Sequence, residues 1–455
     1  MPGERLQGWL SLLLLAACLL LGGGQGTLGD TFCQCLALVL AGLVLWRHLH
    51  EPEARLPRLA WLAAIPFALP LLQLLPLPDF LWNWPEARAP LREALAAAGT
   101  TPGAAWSLNP TASERAGLWL LPAAAMFLSV LGLGVRWRRY LLYVLVAVAV
   151  ASVLLGMAQL AGGKDSPLRF YAITNVTEAV GLFANRNHFA GLLALCLPLV
   201  IAGLALAVHR HPHEETGRRL LRLLAGTGLV ALLVLGIALA RSRAGLLLGM
   251  LGILLSLPAV LGLRSGQGSL PRWLIAGLGL GLVLAVQFAL FGILQRLEKD
   301  PFEDARFRYA GIVAEVAGEH APLGTGLGGF RRAFEARDPD PGSAYINQAH
   351  NDWAQLWLEG GWPGLLLAAA ALAALAVAGW RVWRRRAEGH GPQASLLLRR
   401  VSWISLLLVS LHSLGDYPLR TSAHLAAFGL LAACVTAPRL RTVSDTNGEY
   451  ALHAA

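Results

Sequence analysis

The chain has 455 residues, 56% of them hydrophobic and 14% charged, with a formal charge of +10 and a mean hydropathy of +0.56. A soluble chain carries about 25% charged residues, so a soluble enzyme, a disordered regulator and a disulfide-stapled secreted domain are excluded. In so apolar a chain the basic excess reports membrane topology, and no nucleic-acid partner is expected.

Apolar blocks of the length that crosses a hydrocarbon core about 30 Å thick predict an all-α polytopic membrane protein. Twelve spans fall near 7–21, 31–46, 59–78, 117–134, 140–160, 188–208, 220–240, 244–263, 273–294, 353–380, 401–411 with its flanks, and 421–437. The first is read as a helix and not a signal peptide, because no small-residue cleavage site fits after Leu21 and the next span follows at once. The chain then divides into helices one to nine with short loops (1–294), a long loop containing short helices (295–352), helices ten to twelve (353–437) and a tail (438–455). The five cysteines (Cys18, Cys33, Cys35, Cys196 and Cys434) lie in or beside apolar segments without zinc-ligand spacing and read as buried thiols.

Arg136, Arg138 and Arg139, then Arg218, Arg219 and Arg222, then Arg384, Arg385 and Arg386 fall on one set of alternate loops. That bias places them and both termini in the cytoplasm. The spans are nearly free of Asp, Glu, Lys and Arg, whereas a transporter keeps ionisable groups near mid-membrane. The polar residues of interest gather on the opposite, outer side. On the inner side, His209, His211 and His213 surround Pro212 and read as a solvated loop more than a metal site.

Four outer segments carry chemistry. In Asn185-Arg186-Asn187-His188-Phe189-Ala190-Gly191, Arg186 and His188 flank the start of a helix. There free N–H groups add to a positive field and suit an anion; an arginine snorkelling to headgroups is the equal alternative. Arg241-Ser242-Arg243 forms a tight turn, suited to phosphate or to lipid headgroups. Proline at 301 and the acid at 303 predict a helix over about 301–318, bearing Arg306, Arg308 and Tyr309. It ends before Pro322-Leu323-Gly324-Thr325-Gly326-Leu327-Gly328-Gly329-Phe330. That run lacks the Lys and Ser/Thr of a nucleotide loop, and its glycines serve either a ligand's close approach or plain turns. His350 stands at a helix start with Asn351 or Asp352 as cap; the dipole there favours a neutral ring able to accept a proton. His412 and Asp416 are spaced i, i+4, as a facing pair or as a local cap before Pro418.

In this order and spacing, the segments at 185–191, 242–245, 306–309, 322–330, 350–352 and 412–419 resemble the O-antigen ligase and polymerase superfamily of bacterial inner-membrane proteins. The resemblance covers roughly residues 180–420, and Tyr309 stands where the family often has Trp. It implies a helical GT-C architecture and a metal-independent, inverting transferase without cofactor. Such an enzyme moves a glycan from undecaprenyl diphosphate to a hydroxyl acceptor at the periplasmic face, most simply lipid A–core. Carried over, His350 is the base, Arg186, Arg243 and Arg306 hold the donor diphosphate, and Arg241, His188, Gly326, Gly328, His412 and Asp416 support them. A polysaccharide polymerase and a protein O-oligosaccharyltransferase share this donor chemistry. A flippase for the same lipid-linked sugars is the alternative of another class.

Overall fold

A computed structural model describes residues 2–24, 28–100, 105–209, 216–261, 301–337, 346–385, 390–437, 440–444 and 450–454. Among these residues nine helices are long and apolar enough to cross a membrane. In chain order the first elements are α1 (Pro2–Leu21), α2 (Leu28–His50), α3 (Ile65–Leu74), the short α4 (Asp79–Trp82) and α5 (Ala89–Ala97). Next come α6 (Pro110–Trp119), α7 (Leu121–Gly132), α8 (Val135–Ala161), α9 (Arg186–His209), α10 (Thr216–Leu239) and α11 (Arg243–Leu261). After these follow α12 (Pro301–Glu319), α13 (Phe330–Glu335), α14 (Asp352–Arg384), α15 (His390–His412) and α16 (Ser422–Thr436). Strands β1 (Leu440–Ser444) and β2 (Tyr450–Ala454) pair antiparallel after the last helix.

Two of the twelve expected spans come out shorter. The 59–78 block is a 3-10 turn running into α3, and Arg58–Leu74 together make a short apolar helix. Pro66 and Pro70 interrupt its backbone bonding. The last block is α16, of 15 residues, capped at its start by Thr421. The expected 273–294 span lies outside the described residues, as do residues 210–213 of the histidine tract. Four cysteines are buried, but Cys35 is exposed on α2, a correction to the reading of all five as buried. A helix with apolar residues on every side presents some of them outward when lipid is the solvent.

At the centre stands α9, with 78% of its apolar window buried against 17% for α14. It packs on α8, α10, α11 and α15. Inside a bilayer such contacts gain from close packing more than from leaving water. Chain direction then brings the starts of α9, α11, α14 and α16 and the ends of α10 and α15 to one end of the bundle. There α14 is kinked at Gly361, with φ of 59° and ψ of −150°. A Cβ at that position would sit 2.1 Å from the carbonyl oxygen of Pro322, so only glycine lets the 322–329 loop seat against this helix.

Candidate active site

The site is built outward from His350. Asn351 caps α14 by accepting from the amides of Trp353 and Ala354, both at 3.0 Å. The residue before this cap takes φ of +51°, a left-handed conformation that costs a non-glycine residue about 1–3 kcal/mol. The imidazole packs against Tyr417, with ring centroids 5.1 Å apart. Its Nδ1 is 3.6 Å from Asp416 Oδ1, and the side chain is 26% exposed. That is an electrostatic approach longer than a hydrogen bond, of the kind that tightens in a substrate complex. With Nδ1 directed at the carboxylate, Nε2 on the far side of the ring is the atom left for a substrate.

Asp416 has no exposed surface. Its Oδ2 accepts from Asn187 Nδ2 at 2.6 Å and its Oδ1 from the amide of Tyr417 at 2.9 Å. His188 Nε2 stands 3.3 Å from the same Oδ1. Burial opposes the charged carboxyl, but the imidazoles of His188 and His350 outweigh it and hold the group well below the usual carboxylate range. Burial and then the Asp416 charge push the Tyr417 phenol up to about 12. Asp416 thus turns to His188, His350 and Asn187, while its amide bonds the His412 carbonyl at 3.0 Å. The His412 ring lies beside those of His188 and His424, at centroid distances of 6.4 and 6.5 Å.

Asn187 also accepts from Ser242 Oγ at 2.8 Å. One side-chain amide therefore joins the start of α9, the turn before α11 and the carboxylate behind His350. That bond holds together the two helix starts bearing Arg186 and Arg243, whose N-terminal amides present a positive field. Arg186 Nη1 is 2.6 Å from Glu178 Oε1, and its backbone amide donates to Asn175 Oδ1. Arg243 is half-buried, and Arg241, at φ of +49°, is exposed.

Arg306 lies on α12, and its side chain falls outside the described residues. Tyr309, one turn further, is buried edge-on against Phe334 at 5.5 Å. Gly326 and Gly328 take φ of +94° and +78°, and a Cβ on them would meet Ser107 and Ala112. Gln73 donates to the Glu359 carbonyl and accepts from the Leu327 amide. The close approach these glycines permit is therefore to the 105–113 segment of the protein.

Several residues entered the site without being singled out in the sequence. Arg420 bridges two carboxylates, with Nε 3.4 Å from Asp352 Oδ1 and Nη2 2.9 Å from Glu359 Oε2. Glu359 accepts further from Gln355 at 3.0 Å and from the Phe330 amide at 3.3 Å. Asp352 accepts from Ser413 Oγ and the Leu419 amide. His424 is fully buried on α16; an ionisable residue in an apolar stretch was the signal available for it and for Glu359. Among the described residues, no three His, Cys, Asp or Glu side chains are grouped so that they could hold a metal ion.

The arrangement sets an imidazole backed by a carboxylate beside two helix starts that carry arginines. No curated protein matches the chain. Residues 228–369, which include Arg243, Arg306, His350, Asp352 and Glu359, match the family model described as O-antigen ligase. Over those residues the chain is thus similar to the O-antigen ligase family.

Proposed function

We propose that the protein is a glycosyltransferase of the bacterial inner membrane, acting on the periplasmic side with both termini in the cytoplasm. It moves a glycan from undecaprenyl diphosphate to a hydroxyl acceptor. Ligation of O-antigen to lipid A–core is the first reading. The observation that carries it is the His350–Asp416 pair, joined through Asn187 to the helix starts bearing Arg186 and Arg243.

In this mechanism His350 Nε2 takes the proton of the acceptor hydroxyl as the oxygen attacks the anomeric carbon of the donor sugar. The bond from that carbon to the diphosphate oxygen breaks on the opposite face, which inverts the centre and releases undecaprenyl diphosphate. Arg186 and Arg243, with the N-termini of α9 and α11, stabilise the negative charge that grows on the leaving group. Guanidinium groups supply here the neutralisation for which many phosphate enzymes use a metal. Arg306 shapes the same region, and Arg241 lies at its rim.

The test is deletion of the gene in its host, with lipopolysaccharide resolved on a gel and undecaprenyl-linked glycans analysed in parallel. A lost long-chain ladder with polymer accumulating on undecaprenyl diphosphate is the result expected of a ligase. Single repeat units on the lipid indicate a polymerase instead. An unchanged gel removes lipid A–core as acceptor and points to another polysaccharide or to protein.

A further inference from the structure

Between α8 and α9 the chain runs through residues 162–185 without a regular element, at the same end of the bundle as the site. Within it, the one charged residue of 166–177 is Arg169. Phe170 is 59% exposed, Ile173 73% and Val176 43%. Large apolar side chains left uncovered on an irregular segment are unfavourable in water and mark an interaction surface. Lys164 and Asp165, also exposed, stand just before it.

Polar groups tie this loop down from several sides. Gln159 of α8 donates to the Leu168 carbonyl at 2.9 Å. Arg169 Nη1 donates to the carbonyls of Asn175 and Glu178 at 2.7 and 3.1 Å, which closes the loop on itself. Tyr171 reaches the turn after α1. Its hydroxyl lies 3.5 Å from the Leu21 carbonyl, and a Cβ on Gly24 would lie 2.4 Å from its ring. Asn175 accepts from the Arg186 amide and so joins the loop to the site. The loop that exposes Phe170, Ile173 and Val176 is therefore a built one.

We propose that the 166–177 loop is a lipid contact, through which Phe170, Ile173 and Val176 enter the bilayer leaflet at the site end of the bundle. The uncovered apolar surface continues from the loop onto helices long enough to cross a membrane. Leu154 and Met157 in the last two turns of α8 are exposed, as are Leu21, Leu28 and Phe32 at the adjoining ends of α1 and α2. That continuity favours lipid, which covers such helix flanks already, over a protein partner. The depth is limited by the backbone, because an irregular segment facing lipid does not enter the hydrocarbon core. Interfacial segments bury their apolar side chains about 5–10 Å into the boundary between headgroups and acyl chains. At that depth water still reaches the amides, and Lys164 extends toward the phosphates. Under the donor reading above, Arg186 meets a lipid-borne diphosphate at the level this loop sets; the insertion itself does not depend on that reading.

The experiment attaches a bimane fluorophore to the full-length protein in nanodiscs, one molecule per disc, through Phe170→Cys, Ile173→Cys or Lys164→Cys. Each variant also carries Cys35→Ser, since Cys35 is exposed and would react. The discs hold phosphatidylethanolamine and phosphatidylglycerol, with or without bromine on the upper part of the acyl chains. No glycan substrate is present, so the result does not depend on the donor or on the base. Probes at 170 and 173 are expected to emit further to the blue than the probe at 164. Brominated lipid should quench them and aqueous iodide should spare them, with the opposite pattern at 164. Iodide quenching at 170 and 173 as strong as at 164 overturns the proposal. Quenching by neither agent means that protein covers the loop, and overturns it as well. Should one of the two loop variants fail to fold, the other and Val176→Cys decide by the same readings.

Discussion

Asn187 and Asp416 are separated by 229 positions in the chain, yet the amide nitrogen of one lies 2.6 Å from a carboxylate oxygen of the other. Asn187 needs both ends of its amide, since its oxygen accepts from Ser242 at 2.8 Å. Asp416 meets the amide on Oδ2 and the imidazoles on Oδ1. A displacement of Asn187 therefore reaches His350 and the arginine-bearing turn together.

Replacing Asn187 by Asp keeps the shape but removes the donor and sets two carboxylates face to face. A hydrogen bond to a charged group contributes about 1.5–3 kcal/mol, so transfer should fall roughly 10- to 100-fold. Ser242→Ala removes only the neutral bond and should cost less. Initial rates in proteoliposomes carrying the host's lipid-linked glycan give the comparison. Equal rates for Asn187→Asp and wild type would show that this amide does not set the geometry of the base.

His350→Ala should lower kcat about 10²- to 10⁴-fold, the usual contribution of a positioned base, with KM for the donor little changed. The KM comparison matters because the residue also takes a strained backbone conformation, at φ of +51°. A rise in KM with kcat preserved would mean that His350 shapes the donor site and does not move the proton.

The pairing of Arg186 with Glu178 at 2.6 Å makes a prediction that a lone arginine would not. Arg186→Ala and Arg243→Ala should each abolish transfer, by about 10²- to 10³-fold or more, while membrane insertion stays intact. Glu178→Gln keeps a hydrogen-bonding partner but removes the competing charge, so the donor should bind at least as tightly as to wild type. Weaker donor binding in Glu178→Gln would show that the carboxylate orients Arg186 and does not merely neutralise it.

Arg420 pairs with Asp352 and Glu359 inside the same end of the bundle. Removing one member of a buried ion network strands the others, at about 3–5 kcal/mol. Arg420→Met should therefore lower the denaturation midpoint in micelles clearly. Arg420→Lys should lie between it and wild type, because an ammonium cannot serve two carboxylates in one plane. An unchanged midpoint for Arg420→Met would mean that the two carboxylates are protonated or hydrated without it.

Periodicity made most of the membrane architecture legible, since a run of apolar residues of spanning length has few other uses. It overestimated the block at 59–78, where the helix ends at Leu74, just before Pro76 and Pro78, too short to cross. Motif order was legible too, and so was the helix start at 352, where Asn351 proves to be the cap among the two residues the sequence offered. What could not be read was convergence. The carboxylate of Asp416 was expected to meet His412 four residues back or to cap locally; it accepts from the neighbouring Tyr417 amide and also meets residues from two distant segments. The glycine run was read as either a ligand's close approach or plain turns, and its backbone is bonded to Gln73 and Glu359, contacts that no local pattern announces. Glu178 was visible eight residues before Arg186, but without a regular helix between them spacing carried no geometry.

The stability of the site end should depend on acid in one direction. Asp416 is held well below the usual carboxylate range despite its burial, whereas in the unfolded chain an Asp titrates at about 3.9. A depressed folded value contributes stability that is present above the unfolded value and is lost as pH falls through the folded one. The difference in denaturation midpoint between wild type and Asp416→Asn should therefore be constant from about pH 5 to pH 8 and shrink only below about pH 4. Asparagine keeps a hydrogen-bonding shape but carries no charge, so the difference isolates the carboxylate. If the two proteins converge already near about pH 6, the protonation responsible lies on a histidine of the cluster and not on this carboxylate.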